Sequence, residues 1–84
     1  MNSQRFEELF HCDDDVDWTG CNALQGLIII NKYLPKKGIE GANHGVIYSC
    51  EVEEIIEAGI TESDVVQLRR LNWMIEDSYL ACFV

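Results

Sequence analysis

Asn72-Trp73-Met74-Ile75-Glu76-Asp77-Ser78-Tyr79-Leu80-Ala81-Cys82-Phe83-Val84 reads as two apolar runs around a polar turn, the pattern of a β-hairpin. With Asp77-Ser78 as the turn, the two-residue period puts Trp73, Ile75, Leu80, Cys82 and Val84 on one face. Met74, Glu76, Tyr79, Ala81 and Phe83 fall on the other. A third strand is expected near residues 45–49, where Val46-Ile47-Tyr48 follows Gly45.

Helical patterns surround these strands. Thr61 and Asp64 stand in the N-cap and N3 relation of a capping box, and Ile60 and Val65 in that of a hydrophobic staple. A helix is therefore predicted from there to about Leu71, burying Val65, Leu68 and Leu71. Before it, Ser49 is expected to cap a helix with Glu51, Glu53 and Glu54 in its first turn, Val52, Ile55 and Ile56 as its buried stripe and Gly59 at its end.

Asn22 is read as the cap of a helix through Leu34, stopped by Pro35. Its length and clean stop favour that reading over a buried strand through Gly26–Tyr33. Gln4 to Phe10 forms one or two helical turns with Phe6, Leu9 and Phe10 on one side. The expected architecture is α+β: a three-stranded antiparallel sheet, the strand near 45–49 plus the hairpin 72–84, packed with about three helices.

The chain has 84 residues, enough for one domain, within which residues 1–21 are expected to be a loosely ordered acidic N-terminal segment. Asp and Glu number 15 against 6 Lys and Arg, a net charge of −9. Such a surface is repelled by phosphate backbones and anionic lipid, so the charged partner expected is basic, with no direct nucleic-acid or membrane contact. The 48 % hydrophobic content argues for a packed interior rather than disorder. Neither a basic segment followed by an apolar run at the start nor an apolar run long enough to span a bilayer is present, which makes the cytoplasm the expected location. Cys12, Cys21, Cys50 and Cys82 are then expected to be reduced and packed as small hydrophobes.

The chemistry-bearing patterns are weak. Asp13, Asp15 and Asp17 occupy the first, third and fifth places of a calcium loop, but Trp18 and Leu24 stand where Gly and Glu are needed. His11, Cys12, Cys21, His44 and Cys50 include zinc-preferred types without the close thiol spacing of a knuckle. Ile56 to Val66 has the outline of a helix-turn-helix, yet the first turn of its second helix carries Glu62 and Asp64, the wrong sign for a phosphate backbone. No phosphate loop or nucleophile-base pattern occurs, so neither catalysis nor a cofactor or bound metal is expected.

Interaction remains. The acidic run Asp13, Asp14, Asp15 and Asp17 with Trp18 beside it, the carboxylates Glu51, Glu53, Glu54 and Glu57, and the hairpin aromatics Tyr79 and Phe83 are the candidate partner-binding residues. Aromatics rimmed by charge are the usual composition of an interface hot spot, and clustered carboxylates steer association with a basic protein.

From Asn22 onward the chain also resembles small phage and prophage proteins of no assigned activity. The matching residues are Gly26-Leu27, Lys32-Tyr33, His44, Ile47-Tyr48, Leu71-Asn72-Trp73 and Phe83-Val84, with Gly45 where an acidic residue would follow the His. What the resemblance implies is a phage accessory factor acting in the host cytoplasm, where it binds and inhibits a host factor such as a CRISPR effector or other defence or transcription protein. The expectation is a small acidic non-enzymatic module on a basic host protein, in one form a nucleic-acid mimic, with homodimerisation compatible with it. The alternatives are a zinc-stabilised small domain using His11, Cys12, Cys21 or His44, and a helix-turn-helix-like regulator.

Overall fold

The computed structural model describes residues 1–11, 16 and 20–83. In chain order they form α1 (Ser3–Phe10), α2 (Asn22–Tyr33), β1 (Gly41–Asn43), β2 (Val46–Glu51), α3 (Val52–Glu57), α4 (Glu62–Arg70), β3 (Trp73–Glu76) and β4 (Tyr79–Phe83). The strands make one antiparallel sheet in the order β1-β2-β4-β3. The α+β class is as expected, with β1 as a fourth strand and four helices in place of about three.

The C-terminal hairpin has the register read from its pattern: Trp73 opposes Cys82 and Ile75 opposes Leu80. Asp77 and Ser78 carry φ of 51° and 69°, the left-handed pair that a two-residue hairpin turn needs to match strand twist. The β1–β2 hairpin turns in the same way at His44 and Gly45, φ 51° and 79°. That turn was the only sequence signal for β1, whose residues Gly41, Ala42 and Asn43 are all exposed and have no apolar pattern.

One side of the sheet carries the core. Ile47, Trp73, Leu80 and Cys82 pack with Phe6, Leu9 and Phe10 of α1, Ile30 of α2, Val52 and Ile55 of α3, and Val65 and Leu68 of α4. Ser3–Phe10, within the segment expected to be loosely ordered, is thus a helix built into the core. Asn2 caps it by accepting from the Arg5 N–H at 2.8 Å, and Arg69 of α4 donates to the Phe10 carbonyl at 3.1 Å.

Two predicted caps are corrected. The N-cap of α2 is Cys21, whose Sγ accepts from the Leu24 N–H at 3.4 Å, so this thiol is exposed rather than packed. Cys50 and Cys82 are buried as expected. The N-cap of α3 is Glu51 because β2 runs further than its apolar run suggests, and Ser49 is fully buried, donating to the Gly38 carbonyl at 2.8 Å.

The reason is a β-bulge. Between Tyr48, opposite Ala81, and Glu51, opposite Tyr79, β2 spends one residue more than β4. Ser49 and Cys50 therefore both turn inward, and Glu51 emerges on the face it would otherwise have missed.

The α3–α4 connection follows its sequence. Gly59 at φ 91° ends α3 in a Schellman motif, Ile60 N–H to Ile55 O and Gly59 N–H to Ile56 O. Thr61 then caps α4 by accepting from the Asp64 N–H at 3.2 Å, and Ile60 and Val65 are buried.

The return half of the predicted capping box is replaced by a tertiary contact. The Asp64 carboxylate accepts from the Tyr33 hydroxyl and pairs with Lys32 at 2.7 Å, tying the end of α2 to the start of α4. Burial works to raise the pKa of Asp64, yet Lys32, Tyr33 and Thr61 together hold it below the ordinary carboxylate value. A depressed native pKa gives stability that is present at neutral pH and lost as pH falls below the usual carboxylate range, about 4. Urea unfolding from pH 7 to pH 2 should therefore show a shallower acid-side loss in Asp64→Asn than in the parent. Superimposable profiles would remove this carboxylate from the acid response.

Candidate interaction surface

The sheet face opposite the helices is a row of cross-strand pairs. At one end Tyr79 lies between Glu51 and Glu76; in the middle Ala81 lies between Tyr48 and Met74; at the far end Val46 opposes Phe83. Val46 and Ala81 are buried yet lie outside the core cluster, while Phe83 is 61 % exposed. Phe83 thus belongs to the surface and Trp73, 2 % exposed, to the core.

The Tyr79 end is held from several sides. The Val52 N–H, first in α3, donates to the Ser78 carbonyl at 2.9 Å, fixing the hairpin turn against the helix. The Tyr79 hydroxyl donates to Glu51 Oε1 at 3.2 Å, and the ring meets Tyr48 edge to face, centroids 6.4 Å apart at 86°. Glu51 is in this position only because of the bulge.

Two concavities meet there and share Tyr79 and Asp77. One, about 390 Å³, is lined by Ser3, Glu7, Glu51, Val52, Glu53, Ile75, Asp77, Ser78 and Tyr79. The other, about 270 Å³, is lined by Glu40, Gly41, Tyr48, Asp77 and Tyr79. Neither lining contains Lys or Arg. The nearby cation, Lys37, is engaged by Glu40 at 2.9 Å and Glu54 at 3.2 Å.

The electrostatics follow from these contacts. The Glu51 carboxylate, as acceptor, raises the Tyr79 pKa. Burial, then the charges of Glu76 and Asp77, raise that of Tyr48. Both rings therefore stay neutral donors at physiological pH inside a negative field. Glu54 is held below its ordinary value first by the Glu51 N–H and then by Lys37, against a desolvation cost.

The sequence-predicted residues separate into groups. Glu51, Glu53 and Tyr79 come together. Glu54 adjoins them but is committed to Lys37 and to the Glu51 N–H at 3.2 Å. Glu57 is exposed at the last residue of α3 and lines neither concavity. Phe83 stands at the opposite end of the sheet face. Asp13, Asp14, Asp15, Asp17 and Trp18 lie outside the described residues, as do Cys12 and Val84. Sequence reasoning missed Glu7, Glu40, Tyr48, Glu76 and Asp77. Tyr48 had a signal in the alternation of β2; Glu7 and Glu40 come from remote segments and had none.

For the other readings, no group of three or more potential metal-ligating side chains occurs among the described residues. The Glu62 and Asp64 carboxylates that argued against a DNA-reading helix are used inside the fold: Glu62 pairs with Arg5 at 2.8 Å and Asp64 with Lys32. Cys50, buried beside Glu54, has its thiol pushed up to about 11, a protonated core group. No helix among the described residues is long and apolar enough to cross a membrane. No protein-family model, curated protein or solved structure matches the chain.

Proposed function

We propose that this chain is a small non-enzymatic protein-binding module whose acidic, aromatic sheet end docks on a basic protein. The observation that carries this reading is the pair of concavities meeting at Tyr79, lined by Glu7, Glu40, Glu51, Glu53 and Asp77 with no cation in either lining. Carboxylates there raise the encounter rate with a positive surface, and the two tyrosines supply rigid area for the contact. The resemblance noted in the sequence supports a phage accessory factor, with a basic host defence or nucleic-acid-binding protein as target and phosphate mimicry as the mode of competition.

The test compares two triple variants of equal charge. Glu51→Gln/Glu53→Gln/Asp77→Asn removes three carboxylates from the sheet end, whereas Asp13→Asn/Asp15→Asn/Asp17→Asn removes the same charge from the N-terminal acidic run. On a basic protein captured from the host and purified, the sheet-end variant should associate about tenfold more slowly than the parent at low salt and lose most of its salt dependence. The N-terminal variant should stay closer to the parent. Equal effects of the two triples would reduce the site to bulk charge, and unchanged rates in both would sink the reading.

A further inference from the structure

The outer face of the sheet runs from charge at one end to apolar surface at the other. Its negative end carries Glu51, Tyr79 and Glu76, its middle Tyr48, Ala81 and Met74, and its far end Val46 and Phe83. We propose, resting on the protein-binding reading above, that this face is a docking strip for a segment of a basic partner that seats one arginine against Tyr48 and Tyr79 and one apolar side chain against Val46 and Phe83.

The size and shape of the acidic end argue for an arginine. The smaller concavity, about 270 Å³, lies below the range of pockets that enclose whole small-molecule ligands and suits one long side chain. Its ring walls stand at 86°, so a planar guanidinium stacked on one ring lies edge-on to the other. The lining carboxylate of Asp77 is then placed to accept from its N–H fork, with the Glu40 oxygen that Lys37 does not hold as a second acceptor. A lysine ammonium supplies the charge without the planar stacking, and it sheds its hydration at greater cost.

The far end argues for an apolar neighbour. Phe83 is 61 % exposed, and the middle of the strip that leads to it, Ala81 between Tyr48 and Met74, carries no charge. Tyr79 and Phe83 are four residues apart on β4, so the two seats are separated by about 14 Å, at ~3.4 Å per residue. An extended partner segment bridges them with an arginine and a leucine four residues apart. The negative charge around the tyrosines rejects nucleic acid and anionic lipid, which leaves a cationic protein segment as the occupant with matching charge.

The probe is acetyl-Arg-Gly-Ser-Gly-Leu-amide, titrated into the isotopically labelled full chain by NMR, with lysine and neutral citrulline replacing arginine in two control peptides. The arginine peptide should give saturable shifts confined to residues of this face, among them Tyr48, Met74, Tyr79, Ala81 and Phe83. Citrulline should abolish binding and lysine weaken it. Tyr48→Leu should weaken the arginine peptide about tenfold with little change in Tm, as loss of a partly desolvated cation–π contact would. Phe83→Ser, at an exposed position, should weaken it without loss of fold. No saturable binding, shifts spread over carboxylates elsewhere, or equal affinity for arginine and lysine with no effect of Tyr48→Leu would each overturn the proposal. So would a dimer in sedimentation equilibrium that dissociates in the Tyr48 and Phe83 variants, since a second copy would then own the face. If the peptide fails while the sheet-end triple still slows a captured protein, the strip is wrong and the protein-binding reading stands. If both fail, the reading itself falls.

Discussion

Replacing Gly26 by alanine should destabilise the domain, although alanine is the better helix former by ~1 kcal/mol in a helix interior. A Cβ at this position would run into the Trp73 indole at Nε1 and Cε2, where the ring abuts α2 and its Nε1 donates to the Asn22 carbonyl at 3.1 Å. Trp73 is 2 % exposed and has nowhere to retreat. Overpacking costs about 1–3 kcal/mol and the lost indole hydrogen bond ~1 kcal/mol more. Less the gain in propensity, the net loss is about 1–3 kcal/mol, or roughly 5–20 °C in Tm for a domain of this size. Trp73→Phe should recover part of the loss when combined with Gly26→Ala, because the clash and the bond both involve the indole ring. A Gly26→Ala variant that melts higher than the parent would show that α2 and β3 do not approach in this way.

Phe6→Ala should cost still more. The ring is fully buried and stacks on Phe10, centroids 5.2 Å apart and planes within 16°. It is the most deeply buried of the three side chains, with Leu9 and Phe10, that α1 puts into the core. Truncating a buried phenylalanine costs about 3–5 kcal/mol, against a total of roughly 5–15 kcal/mol for an ordinary domain. Denaturant unfolding should place the midpoint far below the parent's, whereas Arg5→Gln, which breaks the exposed pairs with Glu62 and Glu8, should leave it close to the parent's. If the two variants cost the same, α1 is a surface attachment and the sheet with α2, α3 and α4 forms the domain alone.

These two positions also show what the sequence made legible. Phe6, Leu9 and Phe10 declared a buried helical face through their spacing, and Asp77-Ser78 declared a hairpin through alternation on either side. Thr61 declared the start of α4 because a cap is a local event, settled within four residues. Gly26 was legible only as a weak point in a helix, because the reason for it lies across the fold in Trp73. The same limit applies to the interaction surface. Tyr79 and Glu51 could be proposed as exposed groups, but Glu7 and Glu40 reach the same end of the molecule from α1 and the loop before β1. No local pattern brings such segments together, and no pattern of period two foretells a strand that changes phase after Tyr48.

That change of phase bears on how the chain can be aligned with others. In a loop, gaining or losing one residue shifts the backbone and little else. At Ser49-Cys50 losing one removes the bulge itself: the residue that is left faces inward, and Glu51 keeps its place opposite Tyr79. A gap placed at this point in a comparison is therefore a change in length that leaves the surface chemistry as it was. Two sequences of equal length, one bulged here and one not, would share a sheet and present opposite residues at the end where Tyr79 stands.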